Sequence, residues 1–198
     1  MKGVFIVIEG IDGSGKTEIS KRLANKLKDL TREKIIYTQE PYSNELRKLS
    51  NDLETQDGYE LTLLFSLDRA KHVREVILPN IISGNIVISD RYYYSTIAYQ
   101  GAMFVNIEWI REVNKYFPKP DFAFLLKVPP EICGKRKEAV GRKMKENEMF
   151  RRILHEAYEI YLDLEREGEM IGINGELDID STLNNIVETI REKLPLIS

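Results

Sequence analysis

The run Gly10-Ile11-Asp12-Gly13-Ser14-Gly15-Lys16-Thr17 constrains this chain more than any other. It follows G-x-x-x-x-G-K-[ST], a loop that holds a polyphosphate when it follows a strand and opens a helix. Both neighbours are present. Val4-Phe5-Ile6-Val7-Ile8 is a short apolar run of the buried-strand kind, and Ile19, Leu23, Leu27 and Leu30 fall at helical spacing over 16–30. The glycines let backbone N–H groups turn inward around phosphate oxygens, and the helix N-terminus adds partial positive charge. Lys16 is then placed for the β- and γ-phosphates, and the Thr17 hydroxyl for Mg²⁺. The loop reads as a nucleoside-triphosphate site.

The remainder alternates strand-like and helical stretches. Strand patterns fall at 4–8, 34–38, 85–89, 121–127 and 169–173. Helical patterns fall at 16–30, 44–53, 59–83, 92–116, 130–137, 147–167 and 180–193. Such alternation predicts an α/β fold, a five-stranded parallel sheet with helices on both faces. The continuously apolar Ile86-Val87-Ile88 and Phe122-Ala123-Phe124-Leu125-Leu126 suit strands buried on both sides. No repeat, linker or low-complexity tract interrupts 198 residues, so one domain is expected. A net charge of −3 gives no general attraction to nucleic acid or to an anionic membrane. The single cysteine, Cys133, excludes an intramolecular disulfide and a cysteine-rich zinc site, and reads as a small half-buried residue. No apolar run is long enough to span a bilayer and no leader pattern is visible, so a cytoplasmic protein is expected.

Ligands of such sheets bind beyond the carboxyl ends of the strands. Glu9-Gly10, Gln39-Glu40-Pro41 and Ser89-Asp90-Arg91 all fall there. Position alone leaves Asp90 two roles, a carboxylate directed at Mg²⁺ or an N-cap for the next helix. Arg91 beside it favours a site, because a phosphate-directed guanidinium then adjoins a metal-directed carboxylate.

Four ordered motifs carry a family resemblance over essentially the whole length. They are Ile8-Glu9-Gly10-Ile11-Asp12-Gly13-Ser14-Gly15-Lys16-Thr17, then Glu40-Pro41, then Leu64-Phe65-Ser66-Leu67-Asp68-Arg69-Ala70. The fourth is Asp90-Arg91-Tyr92 with Ser95 and Ala98-Tyr99-Gln100-Gly101. Together they resemble the thymidylate kinases, P-loop enzymes that phosphorylate thymidine monophosphate with ATP. The resemblance implies a nucleoside monophosphate kinase domain over 1–198, with Mg²⁺, ATP and thymidine monophosphate as its small-molecule partners. It implies that residues 10–17 bind ATP, that Thr17 and Asp90 hold the metal, and that Lys16, Asp12 and Arg91 act in catalysis. Asp12 is expected near the acceptor's 3′-hydroxyl and Arg91 on its phosphate. Phe65 and Arg69 are expected to hold the base, and Glu40 and Pro41 belong to the substrate-binding set. Phe65 and Arg69 lie four apart on one helix face, where a ring stacks a pyrimidine and a guanidinium reaches a base carbonyl. Ser95, Thr96, Tyr99 and Gln100 complete the expected substrate-binding set.

A basic cluster, Lys135-Arg136-Lys137 with Arg142-Lys143 and Lys145, suggests a lid at about 135–148 with Gly141 as hinge. Relatives with a basic residue between the last two loop glycines use it in catalysis. Ser14 stands there, which places this chain with the subclass that supplies cations from the lid, and Arg136 and Arg142 are the candidates. Two features depart from the family pattern: Gln39 stands where many relatives have Arg, and the lid lacks Asp-Arg-x-Glu. Asn174-Gly175-Glu176 is expected either beside adenine or as an ordinary turn. His72 is expected at the surface, and His155 is given no role. The resemblance also implies a homodimer, with 59–83 as a contributor. Two competing functions stay open, a kinase of another pyrimidine monophosphate and a P-loop ATPase switch.

Overall fold

The apolar runs pair into a single parallel sheet. The computed structural model describes residues 3–49, 57–139, 141 and 148–192. Its strands are β1 (Val4–Glu9), β2 (Ile35–Gln39), β3 (Ile86–Asp90), β4 (Phe122–Lys127) and β5 (Ile171–Asn174), in the order β2-β3-β1-β4-β5. The helices are α1 (Lys16–Leu30), α2 (Asn44–Leu49), α3 (Gly58–His72), α4 (Leu78–Ile82), α5 (Tyr93–Gly101), α6 (Ile107–Asn114), α7 (Pro130–Ala139), α8 (Glu148–Arg166) and α9 (Ile179–Arg191). This is the expected α/β fold of the P-loop type.

Alternation along the strands feeds two cores. Phe5 and Val7 of β1 join Val87, Leu125, Ile97 of α5 and Tyr161 of α8 on one face. Ile6 and Ile8 join Ile88, Phe124, Leu23 of α1 and Ile186 of α9 on the other. The sheet is therefore apolar on both sides, as continuous apolar strands require. Register fixes what happens at its carboxyl edge. Ile8 and Gln39 both lie opposite Asp90. The residues following β1, β2 and β3 therefore leave the sheet at one level, and β1 sits where strand order reverses.

Three segments depart from the sequence pattern. The stretch 92–116 forms two helices, because the chain turns at Phe104 (φ 66°) before the Asn106 side chain caps α6 on Trp109 N–H. Segment 59–83 is helical but widens into a π-helical turn over Val73–Ile77, where Leu78 N–H bonds back to Val73. Pro79 follows directly and has no N–H to donate, so the wider turn relieves the clash its ring would make. His72, expected at the surface, is fully buried. Of the expected lid, Lys135–Lys137 belong to α7 and Gly141 has φ 70°. Arg142 and Lys143 lie outside the described residues. Among the described residues no helix is long and apolar enough to cross a membrane. Cys133, expected half-buried, is fully buried, and burial pushes its thiol up to about 11.

Candidate active site

Two glycines show what the phosphate loop requires of its backbone. Gly15 caps α1 in the left-handed region (φ 93°), and no side chain bonds the helix's free amides. Gly13 (φ 96°) is boxed in, since a Cβ there would lie 2.8 Å from the Cys133 carbonyl oxygen. The uncapped N-terminus of α1 leaves backbone donors for an anion. Lys16 is buried beside it, donating to Ile11 C=O at 3.1 Å and lying 3.6 Å from Asp12 Oδ1. Burial, reinforced by the Arg91 charge, pulls its pKa down.

Asp12 links this loop to the rest of the site. Its carboxylate pairs with Arg91, with Lys16, and with Lys137 at 3.9 Å. Its backbone N–H donates to the Tyr99 hydroxyl at 2.9 Å. Burial alone would raise its pKa, but these three cations outweigh burial and hold the carboxyl well below the usual range. Arg91 also donates to Ser95 Oγ at 2.9 Å and lies 5.3 Å from the centre of the Tyr99 ring.

Thr17 Oγ1 donates to Asp90 Oδ2 at 2.5 Å. The other oxygen, Asp90 Oδ1, is buried and has no partner among the described residues. A hydroxyl and an orphan carboxylate oxygen beside an anion-binding helix end are hard oxygen donors, so the set fits Mg²⁺. Asp90 is not the cap of the following helix.

That role falls to Glu9, a member of the first motif at the end of β1. Glu9 Oε1 accepts from Tyr92 N–H at 2.7 Å and Ser95 N–H at 3.2 Å, capping α5 from the end of β1. Oε2 accepts from Ser95 Oγ and from Tyr161 Oη, each at 2.7 Å. Burial pushes the Glu9 carboxyl above its ordinary range, against the Arg91 charge and these donors.

Beyond Arg91 opens a cavity of about 190 Å³. Every substrate-side residue named above, from Asp12 and Glu40 through Gln100, lines it, and Tyr92 is the one addition. The Leu64–Ala70 motif explains itself on α3. Asp68 accepts from the backbone N–H groups of Tyr42 and Ser43, at 2.5 and 2.9 Å, and so holds the loop after β2. That loop carries Pro41, after a cis peptide bond, and Glu40, which is hydrogen-bonded twice by Arg69 at 2.7 and 2.9 Å. Phe65 lies half-buried one turn from Arg69 on the same wall.

Arg136 sits on α7 and bridges two loops. It donates to Ser14 C=O at 3.2 Å and to Gly175 C=O at 2.9 Å. The turn after β5 is thereby drawn to the phosphate loop. Tyr161, His72 and Asn114 join the site's framework without sequence warning. Each acts through a partner remote in the chain, which spacing cannot show.

Fold and site together define a P-loop phosphotransferase-like protein with a second pocket beside the phosphate loop. The profile of the family described as thymidylate kinase matches residues 8–186. A probable thymidylate kinase of Staphylothermus marinus is 40% identical, covering 97% of this chain and 96% of that protein. One from Pyrococcus horikoshii is 37% identical, covering 98% of each chain. A probable thymidylate kinase 1 of Saccharolobus solfataricus is also 37% identical, covering 96% of this chain and 98% of its own. The chain belongs to the thymidylate kinase family.

Proposed function

We propose that this chain transfers the γ-phosphoryl group of ATP to thymidine monophosphate, giving thymidine diphosphate and ADP. The supporting observation is convergence. One cavity gathers the residues of three motifs and opens onto the phosphate loop through the Asp12–Arg91 pair. The amides of residues 10–17 and Lys16 hold the ATP phosphates. Lys16 is already desolvated and needs only to leave the Ile11 carbonyl. Arg91 binds the acceptor phosphate, and Asp12 takes the sugar hydroxyl that adjoins it. Thr17 and Asp90 would hold Mg²⁺, which when bound neutralises charge on the phosphates. No general base is required, because the acceptor phosphate is itself a charged nucleophile and transfer depends on alignment and electrostatics. Phe65, Arg69, Thr96 and Gln100 surround the base, with Glu40 and Pro41 behind them, and Ser95 and Tyr99 flank the sugar and phosphate side. Arg136 and Arg142 supply cations to the donor side, the second from a lid at about 135–148 within a single kinase domain. A cytoplasmic enzyme that acts on small nucleotides and not on nucleic acid accords with this reading.

The test is ADP release from Mg-ATP with each nucleoside monophosphate in turn, against a control without acceptor. Release with thymidine monophosphate is expected to exceed all others. It should collapse in Arg69→Ala while ATP still binds. Equal release with and without every acceptor would leave a nucleotide site but no kinase.

We further propose a homodimer built on α3 and α4. Tyr59, Leu63, Leu67, Leu78 and Ile82 recur at helical spacing along one side, and their exposure runs from 39% to 78%. An apolar stripe of that length is a liability unless a second surface covers it. Sedimentation equilibrium should give twice the chain mass, and Leu67→Glu with Ile82→Glu should halve it. A parent protein that sediments as a monomer at micromolar concentration would rule the dimer out.

A further inference from the structure

The most tightly held group in the acceptor cavity is a cation. A guanidinium has five N–H donors and no acceptor. In Arg69 the Nε–H and one Nη2–H go to Glu40 Oε2, at 2.9 and 2.7 Å. The other Nη2–H goes to Thr96 Oγ1 at 3.1 Å, and one Nη1–H goes to Asn114 Oδ1 at 2.6 Å. Among the described residues, a single Nη1–H is left for a ligand. Aromatic rings flank the group, with Tyr92 and Phe117 centred 5.4 and 6.0 Å from it.

Asn114 reduces the spare donors on Nη1 to one. It ends α6, is 4% exposed, and belongs to no motif recognised in the sequence. Its Nδ2 donates to Ile110 C=O at 2.8 Å. A carbonyl can only accept, so the amide is fixed with its oxygen towards Arg69. A carboxylate in the same place would put a second negative charge beside Glu40 and an oxygen against Ile110. The amide supplies an acceptor without either. Glu40 is fixed in turn. Its N–H donates to Asp90 C=O at 3.0 Å, and its Oε1 meets His72 Nδ1 at 3.1 Å. His72 Nε2 lies 2.7 Å from Thr38 Oγ1. An ionised carboxylate only accepts, so Nδ1–H of His72 is the donor to Glu40.

We infer that Asn114 is a positioning residue that makes Arg69 a one-donor reader of the acceptor base and so sets the preference for a 4-oxo over a 4-amino pyrimidine. The inference rests on the proposed kinase reading. A guanidinium locked on both sides offers a base only an N–H. An exocyclic oxygen completes that bond, whereas an amino group sets N–H against N–H at a buried guanidinium. Without Asn114, Glu40 and Thr96 still hold the Nε–Nη2 edge, but Nη1 gains a second unfilled donor and can swing about that edge, so the reading N–H is no longer fixed for one base. Sites built around a fixed polar group discriminate most strongly because the mismatch strands that group unpaired.

The experiment compares kcat/KM for thymidine and deoxycytidine monophosphates at saturating Mg-ATP. In Asn114→Leu the ratio should fall roughly ten-fold, through KM for thymidine monophosphate, with kcat and KM for ATP within about three-fold of the parent. Asn114→Asp should cost stability, because its second oxygen meets Ile110 C=O, but it still presents an oxygen to Nη1 and should keep the ratio within about three-fold of the parent. Should the leucine variant not fold, Asn114→Ser is too short to reach Nη1 and carries the same expectation. Equal losses on both acceptors, or an aspartate variant that loses discrimination as the leucine one does, would overturn the assignment. The parent is assayed first. A parent that turns over no monophosphate removes the kinase reading itself, whereas a discriminating parent with an unmoved Asn114→Leu ratio removes only the role of Asn114.

Discussion

Replacing Arg91 by alanine is expected to lower kcat/KM for thymidine monophosphate by roughly a thousand-fold, the scale set by cations that act on a transferring phosphoryl group. ATP affinity should stay within about three-fold, since Asp12 keeps Lys16 and Lys137 as partners and the loop's backbone donors are untouched. The backbone argues that the loss will be local. Arg91 has φ 74°, a left-handed conformation unusual for a residue with a side chain. It is held there by its neighbours, with its N–H on Ile8 C=O at 3.0 Å and its own C=O accepting from Ser89 Oγ at 2.7 Å. Alanine inherits those two bonds and the same conformation, so β3 and the start of α5 should be undisturbed. What disappears is a guanidinium that spans Asp12 and Ser95 over the Tyr99 ring. In-line transfer depends on both phosphates being aligned, and that loss falls on the transition state as well as on binding. Arg91→Lys keeps the charge but not the planar fork and should recover only part of the rate. Steady-state kinetics with both substrates, beside titration of a fluorescent ATP analogue, decide the matter. Near-parental kcat/KM, or ATP affinity falling in step with turnover, would count against this role.

The sequence carried the sheet and phosphate loop because both depend on contiguous residues. Five apolar runs became five strands, and the glycine loop adopted the positive φ angles its composition allows. The acceptor cavity was legible for another reason. Its lining comes from motifs whose members are close in sequence, such as Phe65 and Arg69 on one helix face. What stayed hidden were groups whose partners lie far along the chain. His72 follows Arg69 by three residues on a charged helix, which reads as surface. It is buried because Thr38 and Glu40 of the β2 edge close over it, more than thirty positions away. Asn114 drew no reading within the helical pattern 92–116, yet its acceptor serves a guanidinium 45 positions earlier. Some missed features did have signals. Pro79 announced the widened turn before α4, and Asn106 announced a second helix start within 92–116. A continuous helical pattern masked both.

Glu9→Ala is expected to lower stability by about 3–5 kcal/mol, since it leaves two buried backbone donors without partners and a void beside them. For a domain of this size that is a fall in thermal midpoint on the order of 10 °C. The carboxylate is fully buried, and its two oxygens accept four hydrogen bonds, from Tyr92, Ser95 twice and Tyr161. One side chain thus ties the end of β1 to the first turn of α5 and to the middle of α8. Ser95 also receives Arg91, so activity should fall further than stability alone explains. Glu9→Gln is the informative control. Its remaining oxygen still caps the Tyr92 and Ser95 amides, and its amide nitrogen faces hydroxyls that can rotate to accept, so the loss should be near 1 kcal/mol. The pH dependence carries a sign. Burial raises the folded-state pKa of Glu9 above 4.5, so the folded protein holds this proton more tightly than the unfolded chain does. That contribution is complete below pH 4.5 and is lost as pH rises through the folded-state value. The parent's advantage over Glu9→Gln should therefore be larger at the acid end of this window than above it. Urea unfolding of both proteins across the window tests this, and an advantage that grows with pH would mean the four donors outweigh burial and the carboxylate is held ionised.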